Sequence, residues 1–543
     1  MPTSAAPKQM IILTLFVTPA SARLTRELRT PLPGWQTFTG SEGLTLRYPN
    51  HTHTRNLMKL LQYRHRLAGL ALILLTWLGD SPTAQAQTNS LPDLGDASSA
   101  IVSPEQERRL GRAWLRQLRS QAPIIHDPLL YDYLFNLVYR LAAASDIAEP
   151  DLALVLIKSP AINAFAVPGG VLGLNGGLLL NARTEDEVAS VIAHELAHLS
   201  QRHFARGLER SQQNSWANLA AMLASVLVAA TAGGDAGMAA LATTQAASID
   251  AQLRFSRANE READRIGMQT LTRAGLNPMA MADFFEALQR SMRYQGERPP
   301  EFLLTHPVTE SRITEARARA AQAPAQSSSD SLEFQLMKAR LAVEFARDPS
   351  ARIQELEQEK ADSDAFLEVT EYTLACAYLE TNQLDKALAS IDRLLDYRAH
   401  RITYLATKAE ILTKAGHYQK AIQILEQGLD YSPGNYGLSV FYADALTLAG
   451  NTSAAIKVLR EQITQWQSQP LLWFMLAEAY GKAGDRLGVY QAKAEYYYLY
   501  GRPQQAIEQL KYALPLAQED FNRTARISDR IQEIKLSMED MRL

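Results

Sequence analysis

The feature that most constrains the fold of this 543-residue chain is a pattern that repeats every 34 residues in its second half. Two series of alanines keep this step, and a series of glycines falls between them: Ala375, Ala409, Ala443 and Ala477; Ala387, Ala421 and Ala455; Gly416, Gly450 and Gly484. A small residue at a fixed place in each repeat lets neighbouring helices pack closely, and a glycine marks the turn between them. The period therefore predicts stacked helix pairs, an α-solenoid, over residues 332–543.

A strict 34-residue period of paired helices resembles the tetratricopeptide repeat, which implies a concave surface that binds other proteins. Ala494, Gly501 and Ala506 predict a further repeat that begins seventeen residues early. We expect flanking helices, from about Ser331 and after Asp520, to cap the stack.

Four tyrosines and one cysteine in this half need separate interpretation. Tyr496, Tyr497, Tyr498 and Tyr500 either line the concave surface or pack inside it. Cys376 is the single cysteine, which excludes an internal disulfide framework and a cysteine-rich metal site. Because it adjoins one of the small positions, we expect a buried thiol rather than a reactive one.

The first half contains the stretch VIAHELAHLSQRH at residues 191–203. A helix turns about 100° per residue, so His194 and His198 stack one turn apart and can hold one metal ion. Glu195 is one step round the helix and can act as a base on water activated by that metal. The HExxH pattern thus favours metal-assisted peptide hydrolysis, although chance matches occur and other residues must support it.

The third ligand is expected from a second helix, SRANEREADRIGMQTLTRAGLNP, which Gly275 can end. Glu260 shares a helix face with Asp264 and with apolar residues, whereas Glu262 points about 200° away, toward solvent. We therefore predict Glu260 as the ligand. Asp264, one turn later, is placed to accept the spare ring N–H of a metal-bound histidine. Without the upstream motif, such an acidic pair would be interpreted as solvated charge.

HELAH followed by ExxxD resembles the gluzincin metalloproteases. NAFAVPGG, SRANEREAD and LLTHPVTESR resemble the branch that includes the heat-shock membrane protease and the CAAX prenyl endoprotease. The resemblance spans roughly residues 100–320. It implies one Zn²⁺ per chain, held by His194, His198 and Glu260, with Glu195 as the catalytic base and Asp264 supporting a ligand.

His306 precedes a proline, so LLTHP can project its imidazole from a loop. Three interpretations stay open: it stabilises the oxyanion, it occupies the fourth zinc position and keeps the enzyme shut, or it only packs. Arg312 is a weaker candidate for the same site. We expect His203 and Arg206 to close the end of the HExxH helix, where positive charge suits the helix dipole.

The stretch LALVLIKSPAINAFAVPGGVLGLNGGLLL at residues 152–180 predicts strands joined by tight turns. Pro168 restricts the strand at 163–167 to an edge position. An edge strand beside a metal site could pair with an extended substrate backbone. The alternative is a hairpin that belongs only to the core.

Residues 216–242 interrupt the region between the two metal-binding helices. Their uncharged run is too short and too rich in alanine for a membrane span, so we predict a helical hairpin packed on the protein. The alternative is a mobile lid, or a flap that makes a peripheral membrane contact.

The N-terminal region contains an export signal. Residues 58–86 have a positive flank, an apolar run and a small-residue cleavage site, which predict a signal peptide cut after Ala86. We interpret residues 1–57 as a non-native N-terminal extension, with an unusually long leader as the alternative. The predicted organisation continues with a linker at 87–103, a zinc metalloprotease domain at 104–322, a linker at 323–331 and the repeats.

A net charge of −3 gives no electrostatic footprint for nucleic acid. We expect a mainly α chain: a zincin-type metalloprotease domain with a small β-sheet, followed by the α-solenoid. The combination resembles periplasmic gluzincins with tetratricopeptide repeats from Gram-negative bacteria. That resemblance implies degradation of misassembled outer-membrane proteins in extended conformation, chaperone-like activity and contact with the outer-membrane assembly machinery. The alternative is a chaperone or docking scaffold with latent protease activity.

Overall fold

The computed structural model describes residues 103–148, 151–210, 227, 257–295, 300–324, 331–361 and 367–540. These residues lie in one compact unit, Pro92–Leu543. Helices dominate it, and a three-stranded sheet lies in the first half. The predicted fold class is confirmed: a mainly α chain with a small sheet, followed by an α-solenoid. The expected signal peptide and the segment 216–242 lie outside the described residues, apart from Leu227.

The first two helices are α1 (Pro104–Gln121) and α2 (Pro128–Ala143). At the start of α1, Ser103 Oγ accepts from the Gln106 N–H at 3.2 Å, and Gln106 Oε1 accepts from the Ser103 N–H at 2.8 Å. This reciprocal pair satisfies two backbone donors that the first turn leaves free. Both helices have proline at the first position, where a missing N–H costs nothing.

The sheet contains β1 (Ala153–Ile157), β2 (Ala164–Val167) and β3 (Val171–Asn175), in the order β1-β3-β2. β1 pairs with β3 in parallel, and β2 pairs with β3 antiparallel. β2 therefore lies at an edge of the sheet, as Pro168 predicted. β2 packs against the helix that carries the HExxH motif.

Residues after β3 differ from the prediction. The apolar run continues as a short helix, α3 (Gly176–Asn181), rather than as a strand. The Gly177 N–H donates to the Ser159 carbonyl at 2.8 Å, which turns the chain away from the sheet. Because Leu178 and Leu179 are fully buried, the apolar pattern has no periodicity that separates helix from strand.

The motif helix is α4 (Glu185–Ser200), and every residue from Glu185 to His198 is buried. It packs against β2, α2 and α6 (Arg257–Arg273). After α4, Arg202 adopts a φ of 47°, which breaks the helix direction. A new helix, α5, covers His203–Arg210.

Three helices complete the first half: α7 (Met279–Gln295), α8 (Glu301–Thr305) and α9 (Glu310–Ala320). As predicted, Gly275 follows the end of α6 with a φ of 73°. Asn277 then caps α7, because its Oδ1 accepts from the Met279 N–H at 3.0 Å.

Consecutive helices make up the second half, and their first member begins at the Ser331 cap. They are α10 (Leu332–Glu344), α11 (Pro349–Ala361), α12 (Glu368–Glu380), α13 (Leu384–Tyr397), α14 (Ile402–Lys414), α15 (Tyr418–Tyr431), α16 (Tyr436–Leu448), α17 (Thr452–Gln465), α18 (Pro470–Lys482), α19 (Arg486–Leu499), α20 (Pro503–Ala513) and α21 (Phe521–Asp540). From α11 onward the helices pack mainly against their neighbours in sequence, as expected of a solenoid, whereas α10 packs on α12.

The small residues of the 34-residue pattern have the predicted places. Both alanine series are buried, and the three glycines end helices with φ between 77° and 83°. Asn382, one period before Gly416, takes the same left-handed conformation with a φ of 60°. Ala494 and Ala506 are buried, and Gly501 turns the chain with a φ of 66°, as the shortened repeat predicted.

The solenoid packs on the first half of the chain. α16 contacts α2, where the Tyr131 ring lies 5.3 Å from the Tyr436 ring. α19 contacts α1, where the Arg116 guanidinium lies 4.6 Å from the centre of the Tyr498 ring. The tyrosines at the end of α19 are all partly buried: Tyr496, Tyr497, Tyr498 and Tyr500. The Tyr500 hydroxyl and His126 Nε2 share a 2.7 Å hydrogen bond. Tyr498 and Tyr500 thus contact the first half of the chain.

Among the described residues, none of the helices combines the length and apolarity that crossing a lipid bilayer requires. Cys376 is 5% exposed, as expected of a thiol beside a small core position.

Candidate metal centre

Four buried side chains converge between α4, α6 and the end of α8: His194, His198, Glu260 and His306. One donor atom from each lies within 4.8 Å of the others. The Nε2 atoms of His194 and His198 are 3.0 Å apart, and each is 3.5 Å from a Glu260 carboxylate oxygen. Ligands about 2.0–2.1 Å from a tetrahedral zinc ion would be roughly 3.3 Å apart, so this donor set fits such an ion.

The close approach of α6 to α4 brings Glu260 to the histidines. At the crossing point, a Cβ added to Gly267 would lie 3.1 Å from the His194 backbone nitrogen. A side chain at this position would push the two helix backbones apart by a few tenths of an ångström, so glycine suits this close approach. Glu260, two turns before Gly267, is 3% exposed and faces α4, in agreement with the helix-face argument.

His306 joins the same cluster from the C-terminal end of α8. Its Nδ1 lies 3.2 Å from Glu260 Oε2 and 3.4 Å from His194 Nε2. Its ring packs on Phe302 at a centroid distance of 4.8 Å. Of the three interpretations of His306, these contacts support a fourth ligand; whether it activates or blocks the site stays a prediction.

Glu195 lies beside the cluster without belonging to its four donors. Its side chain is 2% exposed, and its Oε1 is 3.3 Å from His306 Nε2. A carboxylate at this position can reach a water molecule held at the centre of the cluster without itself being a ligand. The geometry is therefore compatible with the predicted role of general base.

Asp264 and Arg312 contact the ligand side chains from outside the four-donor cluster. Asp264 Oδ1 lies 3.0 Å from His194 Nδ1, where we expected it. Arg312 donates two 2.7 Å hydrogen bonds to the Asp264 carboxylate, and its Nη1 lies 3.0 Å from Glu260 Oε2. It also donates to the Pro307 carbonyl at 2.8 Å, next to His306. Arg312 thus connects three parts of the site, a more central place than its sequence position suggested.

His203 was wrongly assigned to the end of α4. It begins α5 and is buried, with its Nδ1 2.9 Å from His198 Nδ1 and its Nε2 3.1 Å from Glu262. Glu262 does not simply point to solvent, because Arg206 also donates to it at 3.2 Å. Arg206 agrees in part with the prediction, since it donates to the Gln201 carbonyl at 3.4 Å, next to the end of α4.

Burial and neighbouring charges set the protonation of these groups. Burial lowers the pKa of His198 well below its usual value, so the ring is neutral, the form that binds metals. Burial disfavours ionisation of Glu260, but His306 and His194 outweigh it and hold its pKa well below the usual range. Burial also disfavours ionisation of Asp264. Hydrogen bonds with His194 and Arg312 outweigh that effect and lower the pKa of Asp264 below its usual value. Both carboxylates are therefore ionised at neutral pH.

Comparisons with known proteins agree with this geometry. The profile of Peptidase family M48 matches residues 128–320, and a Tetratricopeptide repeat profile matches residues 412–473. The putative beta-barrel assembly-enhancing protease of Vibrio cholerae serotype O1 is 37% identical over 324 residues, 59% of this chain and 66% of that protein. The beta-barrel assembly-enhancing protease of Escherichia coli (strain K12) is 34% identical over 351 residues, 64% of this chain and 72% of that protein. A mitochondrial metalloendopeptidase, OMA1 of Schizosaccharomyces pombe, is 27% identical over 230 residues, 39% of this chain and 60% of that protein.

Proposed function

Because the chain belongs to peptidase family M48 and is a metalloprotease, we propose that it is an exported zinc metalloendopeptidase that acts on misfolded or misassembled outer-membrane proteins. The observation that carries the zinc assignment is the four-donor cluster, whose spacing and imidazole–carboxylate composition suit a tetrahedral ion. In this proposal His194, His198 and Glu260 hold one Zn²⁺ per chain.

A bound Zn²⁺ would polarise the scissile carbonyl and lower the pKa of the attacking water. With that ion bound, Glu195 would be placed to accept a proton from the attacking water and to return it to the leaving amine. Asp264 fixes the tautomer of His194, so that its Nε2 presents a lone pair to the centre of the cluster. Arg312 holds Asp264 and Glu260 in one geometry, because it contacts both carboxylates.

We propose that His306 keeps the site shut in this conformation. It is 3% exposed, and its two ring nitrogens face Glu260 and Glu195. An imidazole there fills the position that water must take before Glu195 can act on it. Opening then requires movement of the α8–α9 connection, which begins at His306 and is held to Asp264 through Arg312.

The edge strand β2 is proposed to bind the substrate. It lies against α4, and none of the described strands pairs with its outer side, so that side could form backbone hydrogen bonds with an extended chain. Such pairing makes little demand on side-chain identity, which suits an enzyme that removes many different unfolded chains.

The biological setting is proposed from the relatives and from the export signal. Two relatives are named beta-barrel assembly-enhancing proteases, which supports a role in outer-membrane protein assembly. We propose that residues 58–86 direct the chain to the periplasm, and that the protease domain covers 104–322 and the repeat domain 332–543. The repeats would select substrates, assist their folding and contact the assembly machinery.

The Glu195→Gln variant tests the proposed enzyme. It should bind the same amount of zinc as the wild type but lose casein digestion, with wild-type digestion also lost on addition of a chelator. Removal of a general base costs at least about 10²-fold in rate. Glu105→Gln, which changes an exposed carboxylate in α1, is the matched control and should retain full activity.

The scaffold alternative predicts a different result. If Glu195→Gln digests casein at the wild-type rate, the proposed mechanism is wrong. If it loses digestion but fully supports outer-membrane protein assembly in cells, the repeats carry the biological role.

A further inference from the structure

A small cavity lies where the solenoid meets the first half of the chain. Its volume is about 30 Å³, and it is a partly open cavity bordered by the end of α1, the start of α2, β1 and the solenoid helices. Polar side chains that border it include Arg119, His126, Asp127, Tyr131, Tyr436, Gln469 and Tyr500. One water needs roughly 10–15 Å³ of such space, so the cavity holds about two waters or one ion of chloride size.

Arg119 is the unusual member of this group. It is 6% exposed, and among the described residues it has no ion pair and no hydrogen-bond acceptor. Burial lowers the pKa of its guanidinium to about 10, which leaves it charged at neutral pH. A charge that is nearly buried and lacks an ion pair is costly, so a negative partner inside the cavity is favourable.

Among the described residues that border the cavity, none supplies that negative partner. Asp127 is the one carboxylate among the bordering residues, and it is already bonded to the Leu130 N–H at 2.9 Å and to Arg340. The Tyr131 hydroxyl accepts from Gln469, and the Tyr500 hydroxyl is bonded to His126. The bordering side chains thus present one cation, Arg119, together with neutral polar groups. Their one carboxylate, Asp127, is already paired with Arg340.

Two other arginines add to the positive electrostatic field of Arg119. Arg112 and Arg116 lie on the same helix as Arg119 and both act on its charge. Arg112 pairs with Asp151 at 2.7 Å, whereas Arg116 stacks on Tyr498. A positive field inside a low-dielectric cavity favours a bound anion.

We propose that this cavity binds one small monovalent anion of chloride size, held by Arg119 between the protease and repeat regions. The anion compensates the buried guanidinium. Because Arg119 belongs to α1, while Gln469 and Tyr500 belong to the solenoid, anion binding stabilises the contact between the two regions. The anion site shares no residue with the metal cluster, so its test does not depend on proteolysis.

Thermal unfolding of the full-length protein tests the site. Sodium chloride is exchanged for sodium gluconate at constant ionic strength, since gluconate is too large for the cavity. Tm should rise with chloride and reach a plateau, by roughly 1–3 °C. The rise should persist in Arg109→Met, which removes an exposed charge from α1, and disappear in Arg119→Met.

Two results would overturn the proposal: a wild-type Tm that does not depend on chloride, or an equal, non-saturating rise in all three proteins. Should Arg119→Met fail to fold, wild-type crystals grown with bromide decide the question by anomalous scattering. A bromide peak beside Arg119, Tyr131 and Tyr500 is expected. Ordered water alone at that position would contradict the site.

Discussion

His203 Nδ1 lies 2.9 Å from His198 Nδ1, and the same imidazole reaches Glu262 through its other nitrogen at 3.1 Å. One of the two facing Nδ1 atoms must carry the proton. Either way, the contact fixes the orientation of the His198 ring, whose Nε2 faces the metal cluster. His203 is thus a positioning residue, held in turn by a carboxylate on α6.

Replacement of His203 by alanine should weaken metal binding. Loss of a partner that orients a metal ligand typically costs about 10–100-fold in affinity, which competition with a chromogenic chelator measures. His417→Ala removes an exposed histidine in the solenoid and should bind zinc with wild-type affinity. Wild-type affinity in His203→Ala would show that the α4 helix alone orients His198.

The His306→Ala variant should digest casein severalfold faster than the wild type. In the structure His306 contacts both Glu260 and Glu195, so its removal opens a place for water beside the base. Initial rates at equal zinc content are the measurement. A loss of activity with zinc retained would instead favour an oxyanion role, and an unchanged rate would mean that His306 only packs.

Much of this site was predictable, because helical periodicity relates residues within one helix. The spacing of His194 and His198 places both on one face, and the same geometry separates Glu260 from Glu262. Arg312 was harder to place, because its partner Asp264 is 48 residues away and the contact depends on how α9 packs. No local pattern in the sequence encodes that packing.

The break after α4 was also missed for a physical reason. The stretch SQRH contains neither glycine nor proline, so nothing in it signals the end of a helix. Arg202 nevertheless adopts a φ of 47°, a conformation uncommon for non-glycine residues. The turn directs His203 back toward His198, a result of tertiary contacts rather than of local preference.

Two glycines should respond in opposite ways to alanine. Gly416 has a φ of 79° with open space around it, so Gly416→Ala should destabilise the protein by about 1 kcal/mol through backbone strain alone. Gly207 lies in α5, also in open space but without a positive φ, so Gly207→Ala should stabilise by about 0.5–1 kcal/mol. Urea unfolding gives both values. Equal effects of the same sign would show that the turn geometry at Gly416 is not as described.

The thiol of Cys376 should be inert in the folded protein. Burial raises its pKa to about 12, so at pH 8 the reactive thiolate is nearly absent. As the pH rises above 9, the thiol ionises in the unfolded chain before it ionises in the folded protein. The stability that the thiol contributes is therefore fully present below pH 9 and is lost as the pH rises toward 12. A thiol reagent at pH 8 should label the protein in urea but not in buffer; equal rates would mean that the thiol is accessible.

Metal content is the most direct test of the proposed centre. Elemental analysis of the purified wild type should find about one zinc per chain, and Glu260→Gln should lose most of it, while Glu105→Gln retains it. A wild type without a stoichiometric transition metal, or a Glu260→Gln variant with the full wild-type content, would contradict the assignment of these residues as ligands.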